Sequence, residues 1–366
     1  MLYFQRTLIP QIQKWLYKEM VIILYGARQV GKTTIAKELA KDYADNIFIN
    51  CEEPEIQELF SGGNVNGLKS YIGQSKFVIL DEAQKISDIG ILLKLMVDKY
   101  PEVQIIATGS SSFDLANKIT EPLTGRNIKF TVFPLSLTEL ASNYTKSEIT
   151  GKLDDLMIYG SYPRIVTMER SLTIDLLTTL AGDYLYRDLL IYDNLRKSDL
   201  LKKLLKYLAF RIGSELSIGN TYLDLLEQSF IVFRIGSFSR NLDKEIKSKI
   251  KIYFYDLGIR NSIIGAYQNS DTRIDMGNLW ENFAILERLK YHQKLGRRVN
   301  LAGGADIGGQ VNFYFWKLQS NFVGEVDLIE EYNGQLDAYE IKYSTKLNVN
   351  TRTAKIFVEE YSKKYP

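Results

Sequence analysis

Residues 26–33 have the residue types and the spacing of a phosphate-binding loop. They fit the pattern G-x-x-x-x-G-K-[ST], directly after the apolar run 21–25 and at the start of an amphipathic stretch. Glycines let backbone N–H groups curl around phosphate oxygens, and the amino-terminal end of a helix adds a favourable partial charge. Lys32 would reach the β- and γ-phosphates, and Thr33 would hold Mg²⁺. The predicted nucleotide-binding residues are Gly26, Ala27, Arg28, Gln29, Val30, Gly31, Lys32, Thr33, Thr34 and Thr108.

Two acids, Asp81 and Glu82, follow the apolar run 77–80. Asp81 at the end of a strand would bind Mg²⁺ directly or through water. Glu82 would polarise the water that attacks the γ-phosphate, which favours an ATPase over a kinase. An exposed acidic turn is the alternative. The expected cofactors are therefore ATP and Mg²⁺.

Two further polar residues are candidates for the same site. Thr108 follows the apolar run 103–107, where it could sense the γ-phosphate, whereas a solvated turn accounts equally well for Thr108 and the serines at 110–112. Arg126 is a candidate arginine finger, acting on the nucleotide of its own chain or of a neighbouring subunit. The second case requires a homo-oligomer, and a surface arginine is the alternative.

The composition excludes several other kinds of chemistry. The 366 residues contain one cysteine, Cys51, and one histidine, His292, so a disulfide scaffold and a Cys/His zinc site lack ligands. His292 lies in a polar stretch, which argues against a Ser-His-Asp triad. The net charge of +2 requires no polyanionic partner. The first apolar run is too short for a signal sequence or a membrane span, so we expect a cytoplasmic protein with no membrane contact.

Short apolar runs alternate with amphipathic stretches between residues 20 and 135, which predicts a parallel sheet covered by helices on both faces. Leucines then recur at helical spacing up to residue 210. The predicted strands of the first sheet are 21–25, 47–50, 77–80, 103–107 and 128–133. Further strands are predicted at 251–255, 311–316, 325–332 and 336–343, with a helix at 279–289.

The last two predicted strands form a β-hairpin, because the Asn-Gly pair at 333–334 between alternating runs is a strong hairpin signal. With these two residues as the loop, Asp327 lies opposite Glu340, and Glu325 lies opposite Lys342. All four side chains share one face, since side chains alternate along a strand. The other face carries an apolar set suited to a core. This set is Val326, Leu328, Tyr339 and Ile341.

Asp327 facing Glu340 brings like charges together, which favours a bound cation, and Mg²⁺ with oxygen ligands fits. Lys342 on the same face would stabilise the negative charge that develops on a phosphate under attack. This spacing of Asp, Glu and Lys resembles the PD-(D/E)xK nuclease site, and the resemblance implies Glu281 as the matching acid on a helix. The alternatives are a solvated hairpin face and, for Glu281, a capping box with Asn278.

Four segments together resemble a large prokaryotic family of AAA-type ATPases. They are residues 26–34, 80–85, 107–112 and 123–126. Residues 254–261 and 279–283 resemble the domain of unknown function that is usually fused behind such an ATPase. The resemblance covers nearly the whole chain. It implies an α/β fold with a P-loop NTPase parallel sheet, a helical lid, a winged-helix region and a C-terminal α/β nuclease-like domain.

The chain departs from similar sequences at 214–221, which is too short for their recognition helix, so the winged-helix region is a predicted remnant. Asp256 is interpreted as a turn residue, and the basic stretch 240–251 as a solvated face. The expected domains are the AAA-type ATPase core at 1–140, the helical lid at 141–210, the winged-helix-like segment at 211–245 and the nuclease-like domain at 246–366.

These observations predict an ATP-binding and ATP-hydrolysing protein with a nuclease-like C-terminal domain that acts on DNA. The predicted catalytic residues are Glu82, Arg126, Asp327, Glu340, Lys342 and Glu281, and the predicted metal ligands are Thr33, Asp81, Asp327 and Glu340. The alternative is a slow ATPase switch whose C-terminal domain is a catalytically silent module for docking protein or DNA.

Overall fold

A five-stranded parallel sheet forms the first part of the fold, with the strand order β2-β3-β4-β1-β5. The computed structural model describes residues 2–110, 123–183, 198–216, 220–239, 249–301, 310–317, 324–344 and 351–361. The strands of this sheet are β1 (Val21–Tyr25), β2 (Asn46–Asn50), β3 (Phe77–Asp81), β4 (Gln104–Gly109) and β5 (Asn127–Thr131).

Both faces of this sheet are buried. Ile22 and Leu24 of β1 enter one apolar cluster, and Val21, Ile23 and Tyr25 enter another on the opposite face. Strands that are buried on both faces have such near-continuous apolar sequences. Every predicted strand of this sheet is therefore confirmed to within two residues. The accompanying helices are α1 (Ile9–Gln13), α2 (Lys32–Ala40), α3 (Pro54–Phe60), α4 (Val65–Ile72) and α5 (Ile89–Lys99).

The region after β5 is helical, as the leucine spacing predicts. Its first helix begins with a capping box. Ser136 Oγ accepts a hydrogen bond from the N–H of Glu139 at 3.2 Å, and the Glu139 carboxylate accepts one from the N–H of Ser136 at 3.0 Å. The helices are α6 (Leu137–Leu140), α7 (Lys146–Gly151), α8 (Leu153–Tyr159), α9 (Pro163–Val166), α10 (Arg170–Asp183) and α11 (Ser198–Phe210).

A second, mixed sheet follows, with the strand order β12-β11-β10-β7-β8-β6 and with β9 paired to β10. It confirms the predicted C-terminal α/β unit. Its strands are β6 (Glu215–Leu216), β7 (Val232–Ser237), β8 (Ile250–Phe254), β9 (Arg298–Asn300), β10 (Gln310–Lys317), β11 (Glu325–Tyr332) and β12 (Gln335–Tyr339). Its helices are α12 (Asn220–Gln228), α13 (Leu257–Ile264), α14 (Met276–Lys294) and α15 (Thr351–Tyr361).

The boundary predicted at residue 245 runs through this second sheet. Strand β7 precedes that boundary, yet it pairs with β8 and lies parallel to β10. The segment predicted as a winged-helix remnant therefore contributes β6 and β7 to the same sheet as the C-terminal strands. Part of the shortened stretch, residues 217–219, lies outside the described residues. In the described ranges, no helix has both the length and the apolar sequence needed to cross a membrane.

The β11–β12 hairpin has the predicted register, since Tyr332 pairs with Gln335 across a two-residue turn. The predicted division of its faces is wrong at one end. Between the pairs Tyr314–Ile329 and Trp316–Val326, a single residue of β10 faces two residues of β11, which is a β-bulge. Leu328, Tyr339 and Ile341 share one cluster as predicted, but the bulge turns Val326 into a different one.

Candidate functional site

The loop between β1 and α2 has the backbone shape that a phosphate cradle needs. Gly26 and Gly31 have φ values of +148° and +101°, where a side chain is strained. A Cβ on Gly26 would lie 2.3 Å from the carbonyl oxygen of Val132. Gly31 is the N-cap of α2, and no side chain caps the first turn of this helix. A helix amino terminus without a side-chain cap is the kind of position at which known sites bind phosphate.

Lys32 is buried inside this loop. Its ammonium group donates to the carbonyl oxygens of Gly26 at 2.9 Å and Ala27 at 2.8 Å. The loop residues thus fold around a cation at their centre. A phosphate in the cradle would meet this charge together with the N–H groups of the α2 terminus, which is the arrangement the sequence predicts.

Asp81 joins the ends of three strands. Its Oδ1 accepts hydrogen bonds from Thr33 Oγ1 at 2.8 Å and from Thr108 Oγ1 at 2.6 Å. Thr33 is the second residue of α2, which follows β1, and Asp81 is the last residue of β3. Thr108 lies near the end of β4, the strand between β3 and β1. The structure therefore brings together the three residues predicted for Mg²⁺ and γ-phosphate contacts. Hard oxygen donors of this kind suit Mg²⁺.

Glu82 follows at the same edge, with a φ of +52° that is uncommon outside glycine. Its N–H donates to Thr108 Oγ1 at 3.1 Å, and its carboxylate accepts from the side-chain amide of Gln84. Gln84 also donates to Ser110 Oγ at 3.1 Å. The carboxylate is thereby tethered beside Asp81. Ser111 and Ser112, in the predicted serine-rich turn, lie outside the described residues.

Arg126 lies at the opposite edge of the sheet from this site. Its carbonyl oxygen accepts from Val21 N at 2.9 Å, at the start of β1, and its guanidinium pairs with Asp98 at 2.6 Å. The phosphate loop begins at the other end of β1, about 16 Å further on for five residues of strand. An arginine side chain is shorter than that distance, so this geometry does not support the alternative in which Arg126 acts on the nucleotide of its own chain. The role on a neighbouring subunit stays a prediction.

Arg6 supports the loop from outside the motif. This buried guanidinium donates to the carbonyl oxygens of Val30 and Phe133, both at 2.6 Å, and to Glu139 at 3.0 Å. Burial alone would raise the pKa of Glu139, but Arg6 and the backbone N–H groups of Ser136 and nearby residues outweigh it, and the pKa is lowered. No pattern in the sequence marks Arg6, apart from a charge between the apolar residues of the amino-terminal segment.

A second polar cluster forms where β8, β11 and α14 meet. Lys251 is buried, and its ammonium contacts Glu281 at 3.0 Å and also Glu325. The hydroxyl of Tyr253 donates to Glu281 at 2.6 Å. Burial alone would lower the pKa of Lys251, but the two carboxylates outweigh it and raise this pKa. The hairpin ladder ends at the pair Leu328–Tyr339, so it does not include the predicted pair of Glu325 and Lys342, and Glu325 contacts Lys251.

Asp327, Glu340 and Lys342 come together as the hairpin predicts. The Lys342 ammonium lies 3.7 Å from Asp327 Oδ2 and 3.3 Å from Glu340 Oε1. Asp327 also accepts from the backbone N–H of Ile341 at 2.6 Å, because β12 ends at Tyr339 and the next residues leave the ladder. Burial raises the pKa of Asp327, and the carboxylate of Glu281 adds to this effect.

The donors of this second cluster do not fit a Mg²⁺ ion as arranged. Among the described residues, no group of three or more acidic, histidine or cysteine side chains is placed to hold a metal. Lys251 lies between Glu281 and Glu325, and Lys342 lies against Asp327, so protein cations occupy the positions beside the carboxylates. The predicted metal role of Asp327 and Glu340 is therefore not supported by this geometry.

Three other predictions about this half can be compared with the structure. Glu281 does not form a capping box with Asn278, because α14 begins earlier, at Met276, and Asn278 donates instead to the carbonyl of Ile212. His292, in its polar stretch of sequence, is nevertheless buried, with Nε2 2.9 Å from Glu330 Oε2. Residues 240–248 of the basic stretch lie outside the described residues, whereas its last lysine is ion-paired as above.

Asp256 is a helix N-cap rather than a simple turn residue. Its carboxylate accepts from the N–H groups of Ile259 at 3.1 Å and Ser161 at 2.8 Å. Burial raises its pKa to about 6. Gly160 leaves no room for a side chain here, since a Cβ would lie 2.1 Å from Asp256 Oδ1. The segment around Gly160 and the start of α13 therefore form one packed joint.

Three family models match the chain in succession. Residues 18–141 match an AAA domain, residues 150–270 match a domain of unknown function (DUF8612), and residues 276–365 match another domain of unknown function (DUF4143). The first part of the chain thus carries an AAA-type, P-loop ATPase-like domain, in agreement with the loop geometry and the sheet. The matches do not confirm a nuclease-like C-terminal domain.

Similar proteins come from several organisms. An uncharacterized protein of Mycobacterium tuberculosis is 24% identical over 373 residues, covering 96% of this chain and 76% of that protein. An uncharacterized protein of Haemophilus influenzae is 22% identical over 316 residues and covers 77% of both chains. Among solved structures, the Walker-type ATPase of Pyrococcus abyssi has 15% identity and a TM-score of 0.46, covering 72% of this chain and 96% of that chain.

Proposed function

We propose that this protein binds ATP with Mg²⁺ at the β1–α2 loop and hydrolyses it. The observation that carries the proposal is the carboxylate of Asp81, which accepts hydrogen bonds from Thr33 and Thr108 at 2.8 and 2.6 Å. The loop, the acid and the polar strand end thus meet at one edge of a parallel sheet, where α/β folds bind their ligands.

Each residue has a distinct role in this proposal. The Lys32 ammonium neutralises charge on the phosphates, while Thr33 and Asp81 offer oxygen ligands to Mg²⁺. The Glu82 carboxylate takes the proton of a water placed in line with the γ-phosphate. Gln84 orients that carboxylate through its side-chain amide. Bound Mg²⁺ would supply neutralisation of the negative charge on the phosphate oxygens.

Nucleotide binding and turnover of three variants test this proposal. We expect Lys32→Ala to lose binding of a fluorescent ATP analogue, whereas Lys37→Ala, a lysine exposed on the same helix, keeps it. Glu82→Gln should bind as the parent does and release phosphate at least about 100-fold more slowly. Binding retained by Lys32→Ala would refute the phosphate site, and unchanged turnover by Glu82→Gln would refute the role of the base.

The C-terminal cluster supports a second, separate proposal, which is action on DNA or docking of a partner. The favouring observation is that Glu281, Asp327, Glu340 and Lys342 gather in one region although α14 and the hairpin are far apart in sequence. Because the carboxylates are held by lysines, we propose the docking module ahead of the nuclease. Incubation with linear and circular DNA and Mg²⁺ or Mn²⁺ tests this order. Cleavage of DNA by the parent and not by Glu340→Ala would favour the nuclease over the docking module.

A homo-oligomer is proposed only through Arg126. Its guanidinium is at the surface, paired with Asp98, on the edge away from its own nucleotide site. In a ring or dimer it would face a neighbouring chain. If so, Arg126→Ala should hydrolyse ATP more slowly than the parent does, at protein concentrations where sedimentation shows an oligomer. A monomer at all concentrations, with unchanged turnover, would refute this role.

A further inference from the structure

A cleft of about 690 Å³ lies between the first sheet and the second half of the chain. Strand β5 forms one side of it, and the end of α14 with the start of β9 forms the other. No residue of the phosphate loop, 26–34, is among its described lining residues. The cleft is therefore a second cavity, separate from the proposed ATP site. Its volume is within the range of pockets that hold small molecules, and such pockets often lie between two parts of a fold.

The end of α14 places two arginines at this cleft. The N–H of Gly296 donates to the carbonyl of Gln293 at 2.9 Å, and the N–H of Arg297 donates to the carbonyl of His292 at 3.0 Å. Gly296 has a φ of +73°, so these two bonds form a Schellman motif, which turns the chain out of the helix. Arg297 and Arg298 follow this turn directly, and both line the cleft.

Contacts from the first half of the fold hold this turn in place. The side-chain amide of Gln11, in α1, donates to the carbonyl of Lys294 at 2.8 Å. A Cβ on Gly296 would lie 2.7 Å from the side-chain oxygen of Gln11, so the two elements are in close contact. The amide of Gln293 donates to the carbonyl of Thr131, in β5, at 2.5 Å. The backbone that carries the two arginines is therefore fixed from the opposite side of the cleft.

The two arginines give the cleft a positive charge. Among the described residues, no carboxylate lines the cleft or forms an ion pair with Arg297 or Arg298. The Arg297 guanidinium lies over the ring of Tyr332, 4.3 Å from its centre, and a guanidinium packed on a ring can still donate from its edge. Lys129 also lines the cleft, but its ammonium lies over the ring of Tyr25 and is not counted in this charge. The two guanidinium groups are therefore suited to an anionic group.

Much of the remaining wall is aromatic. Trp15, Phe133 and Tyr255 line the cleft, and Trp15 is 36% exposed. The Phe133 and Tyr255 rings stack, with their centroids 5.7 Å apart. Leu289 adds an aliphatic side chain from α14. Such a wall binds flat aromatic ligands through ring contacts and through burial of apolar area.

We propose that this cleft binds a small aromatic anion, with its charged group on Arg297 and Arg298 and its ring against the wall that contains Trp15. Phosphate, sulfonate and carboxylate groups all accept from guanidinium donors, so charge and ring define the class of ligand. Both halves of the fold line the cleft, so a bound ligand stabilises their contact and raises the melting temperature. The proposal does not depend on ATP hydrolysis.

Two probes with the same rings test this proposal on the 366-residue chain. The anionic probe is anilinonaphthalenesulfonate, and the neutral probe is phenylnaphthylamine, which lacks only the sulfonate. Both gain fluorescence in apolar surroundings, so the affinity of each is read from a titration. We expect the sulfonate to bind at least about tenfold more tightly than the neutral probe at low salt, and to raise the melting temperature.

Variants locate the bound probe. The double variant Arg297→Gln and Arg298→Gln should bind the sulfonate about tenfold more weakly and the neutral probe as the parent does. The double variant Lys203→Gln and Lys206→Gln removes the same charge from the exposed face of α11 and should bind both probes as the parent does. Trp15→Ala should weaken both probes by similar factors, because it removes part of the aromatic wall.

Two further variants keep the test interpretable. The double variant Arg297→Lys and Arg298→Lys keeps the charge and should recover most of the affinity for the sulfonate. Lys32→Ala should bind the sulfonate as the parent does, because the phosphate loop does not line the cleft. The melting temperature of each variant without probe shows that it is folded.

Three outcomes would overturn the proposal. Equal binding of the two probes would exclude recognition of an anion. An unchanged affinity of the Arg297→Gln and Arg298→Gln variant for the sulfonate would place the probe elsewhere on the protein. Loss of sulfonate binding in Lys32→Ala would assign the probe to the phosphate loop. None of these outcomes bears on ATP hydrolysis, which is measured separately with Glu82→Gln.

Discussion

Replacing Arg6 by alanine should reduce both the stability of the protein and its affinity for ATP. The Arg6 guanidinium donates to Val30 in the phosphate loop, to Phe133 after β5 and to Glu139 in α6, at 2.6, 2.6 and 3.0 Å. It is 5% exposed, so water cannot replace these bonds without a change in structure. In this variant the phosphate loop would lose the hydrogen bond from Arg6 to the Val30 carbonyl, and the buried Glu139 carboxylate would lose its cation.

The expected loss in free energy of unfolding is about 3–5 kcal/mol, the usual cost of breaking a buried ion pair by removing one partner. The lower half of this range applies because Glu139 keeps hydrogen bonds from Thr7 N at 3.0 Å and Ser136 N at 3.0 Å. The carboxylate pKa is lowered in the folded protein, so this stabilisation is present above the ordinary pKa of Glu and disappears as the pH falls through the folded value.

Urea denaturation of the parent, Arg6→Ala, Glu139→Gln and the double variant provides the measurement, with ATP affinity determined on each folded protein. We expect the two single losses to exceed the loss of the double variant when added, because each removes the same pair. The gap between parent and Arg6→Ala should shrink below about pH 4. A loss below about 1 kcal/mol at pH 7.5, or strictly additive losses, would contradict the predicted contribution of this ion pair.

Three further predictions concern the joint and the second cluster. Gly160→Ala should lower the free energy of unfolding by about 3 kcal/mol, since its Cβ would lie 2.1 Å from Asp256 Oδ1 at a φ of +80°, whereas Gly182→Ala, with open space, should not. Because the pKa of Asp256 is raised to about 6, its contribution to stability is lost as the pH rises through 6. The melting temperature of Asp256→Asn relative to that of the parent should therefore be higher at pH 7.5 than at pH 5. Lys251→Met should leave Glu281 without its buried cation. We expect Mn²⁺ to raise the melting temperature of this variant but not that of the parent. If Mn²⁺ does not raise it, the view that the Lys251 ammonium occupies the place of a metal cation is contradicted.

The first sheet and its phosphate loop could be predicted because their signals are local. Strand β1 is buried on both faces, so its sequence is an unbroken apolar run. The loop needs glycine where φ is positive, and the glycines at 26 and 31 stand at those positions. Asp81 and Thr108 were found for a similar reason. Each lies at the end of an apolar run, and in a parallel sheet those ends meet at one edge.

The second half could be predicted only in part, because its decisive contacts join residues far apart in the sequence. Strand β7 contains Arg234 and Gly236 and pairs with β10, about eighty residues later, so no short pattern marks it. The bulge in β11 depends on the facing strand β10, which the hairpin sequence does not contain. Lys251 of β8 contacts Glu281 of α14, and the sequence alone does not reveal that these two residues, thirty positions apart, form an ion pair.

Polar contacts continue from the phosphate loop into the second half of the fold. Arg6 joins the loop to Glu139 of α6, and the N–H of Leu137, in the same helix, donates to Glu287 of α14 at 2.8 Å. Lys290, one turn later in α14, donates to Glu287 and to the carbonyl of Leu135, both at 2.9 Å. A phosphate that displaces the loop must therefore either break the Arg6 bonds or move α6 against α14. Continuity of contacts alone does not make two sites interdependent, since that requires an element with two arrangements. Helix α6, four residues long, contacts Arg6 through Glu139 and α14 through Leu137, so both halves of the fold fix its position.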